Sequence, residues 1–483
     1  MKILVTAIYD DNFGDMLIRT NFVSLLGVAA ENMNISDSTE ILQMDLKNVD
    51  EELVKEADCI IFAGGGIFGL SYLGLSQYLD KIVTIADESN IPVYFSSMGV
   101  VNMDAQDGND KILKEILSKP CVKGLSVREK AELFADYLAD CNIKAEPVCD
   151  PAVWTKYVYH NHLSKKPSKP VVGINAVRGG LFNANGKSWK LKDEMNYLTE
   201  LKALLDGENI DYKFYTNGNI LDDNSLRFWA RENDIPDDKI VCVNSSKELV
   251  STISGFSAIA SIRLHSSIIA YSCGVPAINI EWNDKVKWFY DNIGYKDRCL
   301  PESEFTPENV FAHLKTFLNG EGVEADKDYM MSLYAYILRI LSECTGKDAS
   351  SFTFDEICAK LSNHTIPDSE DLLDALRKVW RCEKDYLVRF TEVREKTSEN
   401  KKLTKEKEKL ENQLEKANSE IADKNKQIES KSKKLAEQKA LITKQEAKLK
   451  SKQAELDRIY SKLPVRIYLK LKRTIKRILG KKN

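Results

Sequence analysis

Cys59-Ile60-Ile61-Phe62-Ala63-Gly64-Gly65-Gly66 decides the fold. Five apolar residues run directly into three glycines, and a helical pattern of apolar positions follows over 72–86. A short buried strand, a tight turn and a helix satisfy that order. The stretch also has the length of a membrane span, since no charge falls between Asp58 and Asp80. Three consecutive glycines are poor helix material, so the strand reading stands.

The same unit recurs on either side. Residues 3–8 read as a strand, 10–15 as a loop, and Leu17, Val23 and Leu26 mark a helix. A strand over 92–96 precedes a helix carrying Ile112 and Ile116, and one over 124–127 precedes a helical run over 129–138. Residues 161–170, polar and twice interrupted by proline, break the rhythm as a linker. Alternation then restarts with strands at 171–174, 213–215, 240–243, 258–262 and 277–281, and helices through Leu198, Leu201 and Leu205 and over 264–271. The expected fold is α/β. Two doubly wound Rossmann-like domains, 1–160 and 171–319, flank the linker, and 320–382 forms a helical brace. Ligands of such sheets bind beyond the carboxyl ends of the strands.

The chain has 483 residues and a net charge of −4, which conceals a division. Residues 383–483 hold 30 Lys and Arg against 16 Asp and Glu, while 1–382 hold 39 against 57. A body this acidic argues against general nucleic-acid binding, which needs a basic face. The ten cysteines include no C-x-x-C pair and suit reduced thiols. The first ten residues carry one lysine and too short an apolar run for a signal peptide, so a cytoplasmic location is expected.

From Leu414 an apolar residue returns every seven positions, at Ile421, Ile428, Leu435, Ile442, Leu449, Leu456 and Leu463. One long helix over 383–463 follows. Its second seam is polar, with Asn418, Asn425, Ser432 and Lys439, so a homodimeric coiled coil through 403–463 competes with a solvated spacer. After Pro464, residues 464–483 hold eight basic residues and no acid, with Tyr468, Leu471, Ile475 and Ile478 on one helical face. Such a helix suits an anionic membrane surface, which would place the protein peripherally on the inner face of the plasma membrane.

Two sets of residues could carry chemistry. Asn12, Gly14 and Asp15, then Gly64, Gly65 and Gly66, and then Arg128 follow strands of the first domain, where backbone N–H groups and helix starts favour anions. The glycines lack both G-x-G-x-x-G spacing and a P-loop lysine, which disfavours dinucleotide and Walker-type sites. In the second domain, Arg263 and His265 stand where a strand gives way to a helix, and Lys285 lies beyond the next strand. Arginine can grip a carboxylate or phosphate, and imidazole can move a proton near neutrality. Arg178 is a further cation, and the whole set is expected to make a positive mouth in an acidic body. The other histidines show no metal-ligand spacing, and no metal is assigned.

The order Asn12-x-Gly14-Asp15, Gly64-Gly65-Gly66, Ser126-Val127-Arg128-Glu129, Asp150-Pro151, Arg263-x-His265, Gly274-x-Pro276 and Lys285 resembles the polysaccharide pyruvyl transferase family. Trp282 stands where that family usually has tyrosine. The resemblance covers roughly residues 1–300 and implies a GT-B-like fold, phosphoenolpyruvate as donor, no separate cofactor, and a sugar or lipid-linked glycan as acceptor. It makes His265 and Arg263 the catalytic candidates. A nucleotide-sugar glycosyltransferase and a non-catalytic scaffold of polysaccharide synthesis are the alternatives.

Overall fold

The computed structural model describes residues 1–8, 12–68, 75–100, 108–135, 138–139, 141, 143–178, 181–184, 188–189, 191–348, 352–364, 366, 439–440, 443–458 and 465–479. They belong to two separate units, a body over 1–388 and a tail over 389–483.

The body holds two six-stranded sheets, parallel throughout. The first contains β1 (Lys2–Ala7), β2 (Glu40–Asp45), β3 (Cys59–Phe68), β4 (Val93–Val100), β5 (Val122–Val127) and β6 (Ala145–Pro147), in the order β2-β1-β3-β4-β5-β6. The second contains β7 (Val171–Asn175), β8 (Asp211–Thr216), β9 (Ile240–Cys242), β10 (Ala258–Ser261), β11 (Ala277–Ile280) and β12 (Cys299–Leu300), ordered β12-β11-β10-β7-β8-β9. In each sheet the strand order reverses at one place, between β1 and β3 and between β7 and β10. At such a switch point the neighbouring connections leave in opposite directions and open a crevice.

Buried apolar strands explain the architecture. β4 is buried along its whole length, as a strand covered by helices on both faces must be. Phe62 and Phe95 stack across β3 and β4 with ring centres 4.6 Å apart. The chain then crosses back. After the second sheet, the helix Lys327–Thr345 returns to the first, where Tyr336 Oη donates to the Phe95 carbonyl at 3.0 Å and Trp154 Nε1 to the Met330 carbonyl at 3.2 Å.

Two local expectations are corrected. β3 does not end at Ala63 but runs through the glycines to Phe68, because Ile61–Gly65 remain paired with β4. The run over 129–138 is no α-helix where described. Residues Ala131–Phe134 form a single 3-10 turn, with Glu129 drawn instead into a buried ion pair.

The helix Phe13–Asn32 is long and apolar enough to cross a membrane, yet 83% of its most apolar window is buried inside the body. In the tail, residues 443–458 are helical, with Leu449 and Leu456 exposed. Leu414, Ile421, Ile428, Leu435, Ile442 and Leu463 of the heptad series lie outside the described residues.

Candidate active site

Both switch points carry the residues singled out above. Asn12 caps the helix Phe13–Asn32 that follows β1, its Oδ1 accepting from Gly14 N–H at 3.1 Å. Its Nδ2 donates to Asp15 Oδ2 at 2.7 Å and so fixes that carboxylate. Gly14 is required by contact rather than by conformation. A Cβ there would lie 2.7 Å from His265 Cγ and 2.8 Å from its Nδ1, so the first domain's loop rests on the second domain's imidazole. Beside it, Phe13 N–H donates to the Asn217 carbonyl at 3.1 Å, a second link between the sheets.

His265 is the second residue of the helix Leu264–Ser272, and its side chain is only 8% exposed. Its Nδ1 lies 3.4 Å from Asp15 Oδ1. Its Nε2 lies 3.4 Å from Arg128 Nη1 and 3.7 Å from Asp150 Oδ2. Nε2 thus lies between a guanidinium, which only donates, and the Asp150 carboxylate, which only accepts, while Nδ1 faces Asp15, so a carboxylate stands beside each ring nitrogen. Asp15, 26% exposed, is the more open side of the imidazole.

Behind Nε2 is a buried triad of charges. Arg128 Nε donates to Glu129 Oε1 at 2.8 Å, and Nη1 donates to Asp150 Oδ2. Burial would raise the Asp150 carboxyl, but Arg128 and then His265 outweigh it and hold the group ionised well below the usual range. Burial pushes Glu129 up against the opposing pull of Arg128. Gly99 makes room for the guanidinium, since a Cβ there would come within 2.8 Å of Arg128 Cζ. Arg128 was expected to bind substrate. Its Nε and Nη1 are engaged by protein carboxylates, an arrangement that positions Asp150 beside His265.

Arg263 is held from the side. Its Nε and Nη2 donate to the two oxygens of buried Asp222, at 2.8 and 2.7 Å, and its backbone N–H donates to Asn175 Oδ1 at 2.9 Å. Arg178 N–H donates to the same Asp222 at 2.8 Å, which brings the exposed Arg178 to the ends of β7 and β10 beside Arg263. Trp282 Nε1 donates to the Ile262 carbonyl at 2.7 Å and pins the strand end from which Arg263 emerges. Lys285 Nζ stands 5.2 Å from the centre of the Trp282 ring. Burial first, then Arg128, pushes its ammonium down to about 8, while Asp15 and Glu129 pull the other way. Lys285 therefore faces the same cluster as His265.

Gly64 and Gly65 lie within β3 at φ of 68° and 90°, and a Cβ on Gly64 would meet Ile18 Cγ2 at 2.6 Å. Gly64 therefore serves close packing of the first helix. Gly66 is half-buried in the same strand. The expected positive mouth is corrected as well: Arg128, Arg263 and Lys285 lie among Asp15, Glu129, Asp150 and Asp222, so carboxylates accompany each cation of the cluster. Asp222 and Asn217 escaped the sequence reading. Asn217 is fully buried, and its Nδ2 finds no acceptor among the described residues. Nothing in the spacing of residues 217 and 222 signals a pairing with Arg263, since the topology alone joins them. Among the described residues no group of three His, Cys, Asp or Glu gathers to hold a metal.

Two Rossmann-like sheets whose switch points share one ionisable cluster define a two-domain α/β protein of GT-B-like architecture. A family model described as polysaccharide pyruvyl transferase matches residues 12–284, more than half of the chain and all of the cluster except Lys285. The chain belongs to the polysaccharide pyruvyl transferase family. No curated protein matches the sequence. Among solved structures it is similar to a putative UDP-N-acetylglucosamine 2-epimerase from Listeria monocytogenes, at 10% identity over 73% of this chain and 99% of that one, TM-score 0.46. It is also similar to the UDP-GlcNAc 2-epimerase of Neisseria meningitidis, at 10% identity over 72% and 100%, TM-score 0.45. That of Methanocaldococcus jannaschii has 11% identity over 71% and 100%, TM-score 0.41. At such values no substrate carries over.

Proposed function

We propose that this transferase moves the pyruvyl group of phosphoenolpyruvate onto two hydroxyls of a sugar, in a surface polysaccharide or its lipid-linked precursor, with release of phosphate. The observation that carries the reading is His265, a residue of the second sheet, held at 3.4 Å from a carboxylate of the first, with Arg263 and Lys285 at the same strand ends. Phosphoenolpyruvate presents a carboxylate and a phosphate. Arg263, aligned by Asp222, together with Lys285 and Arg178 supplies the cations for both, and oriented donors of this kind act most strongly where charge develops.

In its doubly protonated form, with Asp15 facing Nδ1 and Asp150 facing Nε2, His265 gives its Nδ1 proton to the methylene carbon and is left as a neutral imidazole, and the central carbon becomes electrophilic. A sugar hydroxyl attacks that carbon, the bond from it to the phosphate oxygen breaks, and a second hydroxyl closes the ketal. Of the two hydroxyl protons, one restores His265 by way of Asp15 and the other leaves with phosphate, so the atoms balance. Asp150, fixed by Arg128, faces Nε2 and orients the imidazole so that Nδ1 points toward Asp15.

The test is binding before chemistry. Phosphoenolpyruvate alone should raise the thermal midpoint of the wild-type protein and not that of an Arg263→Gln, Lys285→Gln variant. A sugar nucleotide that raises the midpoint where phosphoenolpyruvate does not would contradict the assignment.

A further inference from the structure

The tail helix Val465–Leu479 carries an apolar row and a basic row of side chains. Ile467, Leu471 and Ile478 are 48%, 41% and 67% exposed, and at 100° per residue they share one arc of the helix with half-buried Ile475. Lys470, Arg473 and Arg477, all exposed, form a second row about a third of a turn away. Residues 465–483 contain eight basic residues and no acid, so nothing within the segment neutralises that row.

We propose that this helix lies in the headgroup layer of an anionic lipid bilayer, its isoleucine and leucine row turned into the acyl boundary and its basic row against lipid phosphates. The pairing of rows selects this occupant. A nucleic acid would neutralise the basic row and leave the large apolar side chains in water. A second copy of the helix would cover the apolar row but bring two uncompensated basic rows together. A neutral bilayer would accept the apolar row and leave the basic one without counter-charge. An anionic bilayer meets both at once. The inference stands independently of the reaction proposed above.

Full-length protein sedimented with phosphatidylcholine vesicles containing about one third phosphatidylglycerol tests it, with phosphatidylcholine alone as the control. Wild type should bind the anionic vesicles and be released by salt. Leu471→Asp with Ile478→Asp should lower binding at least about tenfold, and so should Lys470→Gln, Arg473→Gln and Arg477→Gln together. A Leu471→Trp probe should shift its fluorescence to the blue on anionic vesicles, which a purely electrostatic contact would not produce. An unchanged thermal midpoint in each variant confines the effect to the tail. Undiminished binding by the Leu471→Asp, Ile478→Asp protein, equal binding to neutral vesicles, or capture by an RNA oligonucleotide with none by vesicles would overturn the proposal.

Discussion

His265 is the residue on which the proposed chemistry turns, because two carboxylates and a guanidinium of the first domain address its two ring nitrogens. His265→Asn removes the transferable proton and should lower kcat by at least about 100-fold, the usual worth of a positioned general acid. Retained turnover, measured as phosphate release, would remove the imidazole from the mechanism. Lys285 sets a pH limit. Its ammonium, pushed down to about 8 by burial, loses its charge as pH rises through that value. The KM for phosphoenolpyruvate should therefore climb above about pH 8 and stay flat in Lys285→Arg, whose guanidinium remains charged. Arg263, His265 and Lys285 were legible in the sequence because each follows a strand at short, fixed spacing. Asp222 was not, since 41 residues and two strands separate it from Arg263, and only the order β10-β7-β8 brings them together.

At the scale of elements, the strands were legible from apolar runs and the switch points were not, since pairing order leaves no trace in periodicity. The glycines show the difference. A triple glycine reads as a turn from composition, yet Gly64 lies inside β3 at positive φ, where the first helix presses Ile18 against it. Gly64→Ala should destabilise the body by about 1–3 kcal/mol through strain and overlap together. A urea midpoint equal to wild type would show that β3 yields at that point. Gly14→Ala should act differently. Its methyl group displaces the imidazole, so turnover should fall by more than about tenfold while the thermal midpoint hardly moves, as misplacement near the reacting atoms does. The triad under His265 is structural in a third way. Asp150→Asn leaves the buried Arg128 with one carboxylate in place of two, and breaking such a pair costs about 3–5 kcal/mol, readable by urea unfolding.

Taken whole, the molecule joins two sheets through one cluster whose charges are matched rather than piled up. The sequence suggested surplus positive charge, because cations stand out in an acidic body while their partners lie far away in the chain. This cluster keeps its guanidinium groups oriented before substrate arrives, which directs binding energy into geometry. Pyruvyl transfer is the claim on which the account depends. The direct test incubates purified protein with phosphoenolpyruvate and a lipid-linked glycan extract, and follows phosphate release together with the mass of the glycan. The account requires one phosphate released for each pyruvyl group gained, both lost in His265→Asn. Phosphate release without a heavier glycan, or a glycan extended by a sugar and not by a pyruvyl group, would contradict it.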